Sequence, residues 1–188
     1  MNILGLIIYN FTNETFYAVW NTTAGSNSFA SYSGYGIGSY WPTSPPKNLF
    51  DGNLSTVFTS HGSCDYAGAP SGTECGLNAG IYVTLKQESF RLVAFRSAVS
   101  DYRARDPLWF TIEGSDSSPN TLTNGSQWRL IYNGTSGLET DPGRKQYGPI
   151  LVITDSPRSY DSYRFLVVKK KDDSNSISFG EFWFIGYF

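Results

Sequence analysis

Histidine and cysteine are almost missing from this chain: its 188 residues hold one histidine, two cysteines and a single methionine. So few ligands make a zinc centre of His and Cys implausible, and a Ser-His-Asp machine would rest wholly on His61. The chain also lacks a G-x-S-x-G elbow, an H-E-x-x-H motif and a phosphate-cradling glycine loop. No pair of acids is marked out for glycoside hydrolysis, so a non-enzyme is expected. Charged residues make up only 16%, with a net charge of −2. Binding a phosphate backbone needs a clustered excess of Lys and Arg, so no nucleic-acid partner is expected. The basic run Lys169, Lys170, Lys171 is followed at once by Asp172 and Asp173 and reads as a solvated turn between two strands. Long apolar runs are missing too. The N-terminal MNILGLIIYN is too short to span a bilayer and has neither a basic n-region nor a small-residue cleavage site. It reads as a first strand, and membrane insertion is not expected.

What is plentiful is aromatic: 13 Tyr, 13 Phe and 5 Trp, 16% of the chain. With few charges, that composition favours strands. Apolar and β-branched runs of strand length recur at 81–86, 90–96, 108–114, 127–132, 149–154, 163–170 and 178–188, each bounded by turn residues. A sustained 3.6-residue apolar period is absent. At the C-terminus, Phe182 and Phe184 alternate with Trp183 and Ile185, so this strand should be covered on both faces. The Gly-, Ser- and Tyr-rich segments 24–46 and 60–80 read as surface loops on a rigid scaffold. Many short antiparallel strands in one unit of this size predict an all-β sandwich or barrel.

Cys64 and Cys75 stand in a segment rich in Gly, Ala and Ser, where a disulfide closing a small loop is expected. Six Asn-x-Ser/Thr sequons, at Asn10, Asn13, Asn21, Asn53, Asn124 and Asn133, point to the same oxidising, glycoprotein-bearing compartment. Without a visible signal peptide, the chain is either a mature fragment or reaches its destination otherwise.

The stretch NLFDGNLST, residues 48–56, concentrates oxygen-bearing side chains in one turn. A turn capped by its own side chains accounts for part of this. Oxygens converging from a folded-back loop are also what Ca²⁺ coordinates, and that reading needs a second carboxylate, for which Glu181 on the last strand is the candidate. Taken in order, NLFDGNLSTVFTS, FRLVAFRSAVSDYRARDPLWFTIEGSDSS with the following QWRLI, and YRFLVV with ISFGEFWFIG resemble the discoidin family, also called the coagulation factor 5/8 type C domain, which overlaps the galactose-binding carbohydrate modules.

The resemblance covers roughly residues 25–188, leaving 1–24 as an N-terminal strand and lead-in. It implies an antiparallel jelly-roll β-sandwich that is non-catalytic, binds a galactose-like glycan or glycoprotein, and stands at a cell surface or in a secreted protein. A structural Ca²⁺ site would take backbone carbonyls of Asn48 and Asn53, side-chain oxygens of Asp51 and Thr56, and the Glu181 carboxylate. Phe58 stands where a tryptophan is common, and the terminal cysteine pair of many animal members is replaced by the internal Cys64 and Cys75.

Sugar recognition needs an apolar platform with rigid donors and acceptors beside it. Segment 95–107 supplies Arg96, Tyr102, Arg103 and Arg105, with Asp101 and Asp106. Arg96 matches an arginine that contacts sugar in galactose-binding members; the plainer alternative is a surface arginine paired with Asp101 or Asp106. Asn78 stands where such members carry a hydrogen-bonding residue. His61 and Tyr66 are candidates for the rim, and Tyr32 and Tyr35 for the platform, unless their Gly-Tyr loop packs on itself. The other readings are a protein- or lipid-contacting adhesion domain, or a subunit of a larger coat or filament such as a viral particle, because function lives in loops on a shared fold.

Overall fold

The computed structural model describes residues 5–66, 72–156 and 158–188. Thirteen strands follow in chain order: β1 Ile7–Ile8, β2 Thr15–Trp20, β3 Phe29–Ala30, β4 Tyr32–Ser33, β5 Ser39–Tyr40, β6 Phe58–Ser60, β7 Ala79–Thr84, β8 Arg91–Val99, β9 Pro107–Ser115, β10 Arg129–Thr135, β11 Leu151–Val152, β12 Ser162–Lys170 and β13 Ile177–Tyr187. They build two facing sheets. One runs β11-β8-β13-β6-β5-β4 with β1 also on β13, the other β10-β9-β12-β7-β2-β3. Every pairing is antiparallel except β4 with β5. The predicted all-β sandwich is therefore what the chain forms.

The helical turns are short 3-10 segments, and among the described residues no helix is long and apolar enough to cross a membrane. Segment 24–46, expected as loop, in fact contributes β3, β4 and β5. Within 149–154 only Leu151–Val152 pairs, against Phe95 and Ala94. The N-terminal segment is integral to both sheets, β1 pairing with β13 and β2 with β7.

Aromatic rings fill the space between the sheets. Phe182 lies flat between Phe95 on its own sheet, at 5.3 Å, and Phe165 across the core, at 4.4 Å, with interplanar angles of 3° and 4°. Phe110, Phe179 and Phe184 close around this stack edge-on or tilted. Such ring pairs contribute about 0.5–1.5 kcal/mol each beyond the area they bury.

On the outer face of the second sheet, Arg164 and Glu113 form a fully buried ion pair at 2.7 Å. Glu113 also accepts from the Gly25 amide at 2.7 Å. Arg164 donates to the Ser26 carbonyl and the Ser28 hydroxyl at 3.0 and 2.7 Å and covers the Trp128 ring. The pair thus straps segment 25–28 over the sheet.

Truncating the central ring of the stack leaves a cavity that its flanking rings cannot fill without losing their own contacts. Phe182→Ala should lower unfolding free energy by about 3–5 kcal/mol, measured by urea denaturation with an unchanged strand spectrum.

Candidate functional site

Two clusters gather the candidate residues. The first lies along the edge of β13 away from β8. On that edge β6 covers Ile177–Phe179 and β1 covers Ile185–Gly186, and the turn after the 3-10 helix Pro46–Leu49 reaches the strand between them. Here β13 carries a bulge: Phe179 pairs with Val99 but Phe182 with Ser97, three steps against two. The extra residue lets Phe179 and Phe182 both enter the core and turns Glu181 toward the turn.

The Asn53 amide donates to Asp51 Oδ1 at 2.9 Å and to Glu181 Oε1 at 3.0 Å. The Thr56 hydroxyl lies 2.9 and 2.8 Å from the two Asp51 oxygens and 2.8 Å from the Asn53 carbonyl. Four of the five expected calcium ligands thus converge. The Asn48 side chain pins the turn instead, its amide donating to the Val57 carbonyl at 3.0 Å, which leaves only its backbone for a ligand role.

Burial and the adjacent Asp51 carboxylate push Glu181 up to about 7. Two acids facing each other with hydroxyl and carbonyl oxygens beside them form a hard, oxygen-only donor set. That set fits Ca²⁺. Among the described residues no three His, Cys, Asp or Glu side chains converge, so softer metals find no such set. A cleft of 350 Å³ between the turn and β1 opens beside these acids, with Trp183 on its wall.

Arg96 belongs to this neighbourhood. Its Nε donates to the Gly148 carbonyl at 2.7 Å, and its guanidinium lies over Tyr147 and Trp183 at 4.7 and 5.5 Å. The aspartates expected as its partners are taken by others: Asp101 by Lys145 at 3.3 Å and Asp106 by Arg144 at 2.9 Å.

The second cluster is built by loops at one end of the sandwich. His61, directly after β6, is fully buried. Its Nε2 accepts from the Trp41 indole at 2.5 Å, so Nδ1 carries the proton and donates to the Asn175 carbonyl at 3.0 Å. His61 is therefore a support beneath the rim and not part of it.

Above it stand Trp41, Tyr66 and Tyr35, with ring centroids 5.4 Å apart for Trp41–Tyr66 and 5.9 Å for Tyr35–Tyr66. The Tyr66 amide donates to the Tyr35 carbonyl at 3.0 Å and joins the two loops. Arg105, in the 3-10 turn Arg103–Arg105, packs over Tyr102 at 4.7 Å and Trp41 at 5.8 Å. Its Nη2 donates to Asn175 Oδ1 at 2.9 Å, while its buried Nε has no partner. Tyr102, Tyr66 and Tyr35 expose half or more of their surface, so the cluster presents aromatic faces around one cation.

The cysteines do form the expected disulfide, with Cα atoms 5.2 Å apart, and it closes the loop that carries Tyr66. That loop begins and ends in close approach. Gly62 and Gly76 both have positive φ, and a Cβ on Gly62 would lie 2.9 Å from Gly76 Cα. Residues 67–71 of the loop lie outside the described set.

The remaining candidates lie elsewhere. Arg103 is exposed and 3.7 Å from Asp141. Asn78 is a turn residue at φ 55°, its backbone bonded to Thr22 and Val167. Tyr32 packs its ring on Gly34 and Gly36 of its own loop. Sequence reasoning missed Trp41 and Asn175; an exposable Trp between SGYGIGSY and PTSPP was the available signal for the first.

No family model and no curated protein sequence matches this chain. Solved structures do. The F5/8 type C domain of a Bacteroides fragilis protein is 9% identical, with 98% of each chain covered and a TM-score of 0.62. The family 32 carbohydrate-binding module of Clostridium perfringens NanJ, in complex with galactose, is 10% identical, covering 96% of this chain and 98% of that one at a TM-score of 0.59. A family 32 module from a family 31 glycoside hydrolase of Clostridium perfringens is 17% identical, covering 99% and 94% at 0.52. The chain has the discoidin-like, galactose-binding-domain fold. At these identities the likeness is one of fold, and its own loops decide what it binds.

Burial holds the His61 pKa below its ordinary value. A group kept neutral in the folded state protonates first in the unfolded chain, so its stabilising contribution is present above pH 6.5 and drains away as pH falls toward the lower folded value. The stability advantage of the wild type over His61→Phe should therefore shrink on acidification from pH 7 to 5, by at most about 1.4 kcal/mol per unit. Denaturant melts at a series of pH values measure it.

Proposed function

We propose that the chain is a non-catalytic glycan-binding domain whose site is the loop cluster of Trp41, Tyr66, Tyr35, Tyr102 and Arg105. The observation that carries this is a cation fixed among aromatic rings: the Arg105 guanidinium lies over Tyr102 and Trp41 and is held by Asn175, beside the exposed Tyr35, Tyr66 and Tyr102. Aromatic faces receive the C–H side of a pyranose, and Arg105 with Asn175 offers donors and an acceptor to its hydroxyls. Similar folds solved with galactose and with GalNAc-β-1,3-galactose support a galactose-type sugar as the first ligand class to test. A place outside the cell or at its surface is supported by the disulfide and by the glycan-binding reading itself. Partners would be glycans or glycoproteins.

We also propose that Asp51, Thr56 and Glu181, with the Asn48 and Asn53 carbonyls, hold a Ca²⁺ ion. Its role would be to neutralise the paired acids and tie the 48–56 turn to β13.

A glycan array followed by calorimetry tests the first proposal. Galactose-terminated glycans should bind, and Arg105→Ala should weaken them at least tenfold, about the 1.5–3 kcal/mol of a charge-assisted hydrogen bond. Binding to no glycan would overturn it in favour of an adhesion or assembly role. For the metal, added Ca²⁺ should raise the melting temperature and chelation lower it, by about 2.7 kcal/mol of stabilisation at one hundred times the dissociation constant. Asp51→Ala should lose this response. A calcium-free protein that melts identically with and without the ion would end that assignment.

A further inference from the structure

The run Lys169–Lys171 does not behave as one solvated group: Lys169 is exposed, whereas Lys170, the last residue of β12, keeps only 3% of its surface. Its Nζ sits 2.7 Å from the Cys75 carbonyl, 2.6 Å from the Ser174 carbonyl and 3.1 Å from the Ser174 hydroxyl, with the Ser176 carbonyl at 3.5 Å. The Ser174 hydroxyl gives its own proton to the Ser176 carbonyl at 2.7 Å, so toward Lys170 it accepts. Every partner is therefore an acceptor. An ammonium brings three donors and no acceptor, which matches this cage; a neutral amine brings two donors and turns a lone pair toward an oxygen.

The cage has two walls, and both belong to the loop cluster. Cys75 ends the disulfide-closed loop that carries Tyr66. Ser174 and Ser176 flank Asn175, whose carbonyl meets His61 Nδ1 and whose Oδ1 meets Arg105 Nη2. His61 in turn holds the Trp41 indole.

We propose that Lys170 is the positioning residue of the recognition site: its buried ammonium clamps the 174–176 turn to the disulfide loop, sets the aromatic rim and Arg105 in place, and makes ligand affinity fall as that ammonium loses its proton.

Glu74 and Asp173 favour the charged form through space, Arg105 opposes it, and burial outweighs them, bringing Lys170 down to about 8. The signs of the two consequences differ. Because the unfolded chain holds this proton up to its ordinary value of 10.5, Lys170 makes folding more favourable as pH rises from 8 toward 10.5. Binding should weaken over the same range. A site that merely unravelled in alkali would lose both together.

The glycan reading supplies one readout, and a second does not depend on it. Calorimetry with methyl β-galactoside between pH 7 and 9.5 should show about a tenfold loss of affinity, the worth of one charge-assisted hydrogen bond, while denaturant stability does not fall in step. In parallel, the Arg105 Nε–H, Asn175 amide and His61 ring signals of the ¹⁵N-labelled chain should shift together with one apparent pKa. Lys170→Met should abolish that shared titration. Should that variant fail to fold, the wild-type series still decides.

No galactoside binding but a shared titration would remove the sugar assignment and support the clamp. Signals that stay still across the range, or that move equally in Lys170→Met, would overturn the clamp whatever the ligand. Undiminished galactoside affinity at pH 9.5 would overturn the predicted control of binding.

Discussion

One extra residue in β13 governs much of this molecule. A regular strand would send Phe179 and Glu181 to one face and Phe182 to the other. The bulge between the Val99 and Ser97 pairings instead keeps Phe179 and Phe182 both inside. Phe182 then completes the ring stack that couples the sheets, and Glu181 is delivered to the 48–56 turn. Core packing and the oxygen-rich turn are consequences of the same backbone irregularity. Gly180 occupies the bulge, where a Cβ would lie 3.5 Å from Ala98 Cβ and the Val99 carbonyl, ordinary contact distances that a small side chain could meet.

The long strands β7, β8, β9, β10, β12 and β13 were legible because each is a run of β-branched and aromatic residues ended by turn formers. β3, β4 and β5 were not, since two-residue pairings inside a Gly- and Ser-rich segment carry no alternation to read. The opposite error occurred at 149–154, where an apolar run suggested six residues and only two pair; Pro149 has no amide to donate and Asp155 lies in a turn. Asp51 and Glu181, 130 positions apart, were joined through a resemblance, not through periodicity. Asn175 was invisible because DDSNS looks like any polar turn until His61 and Arg105 are placed against it. Lys170 was misjudged for a related reason. Its strand changes register against β9 twice near its end, so alternation counted from Phe165 no longer tells which side a side chain takes.

The two clusters divide labour in physical terms. The Asp51–Glu181 neighbourhood is carried by a central strand and the turn docked on it, where rigidity comes from the sheet. The Trp41–Arg105 cluster hangs on loops whose order comes from side chains: the Cys64–Cys75 disulfide, His61 held between the Trp41 indole and the Asn175 carbonyl, and Lys170 held by the Cys75 and Ser174 carbonyls. Loop sequences can therefore diverge in the faces they present while this understructure and the sandwich persist.

At the flank opposite β10 and β11, β3 closes the second sheet, and after Ser31 alone the chain re-emerges as β4, closing the first. The Ser31 amide still donates to the Ala18 carbonyl of β2 at 2.8 Å. The two borders are stitched by a single continuous thread, like the folded selvedge of a cloth. Neither of these two borders offers another chain a long template, because each terminal ribbon is two residues long. On this flank a protein rich in aromatic residues therefore presents two-residue edges and no long strand for cross-β stacking, whereas the longer margin, β10, lies at the opposite flank.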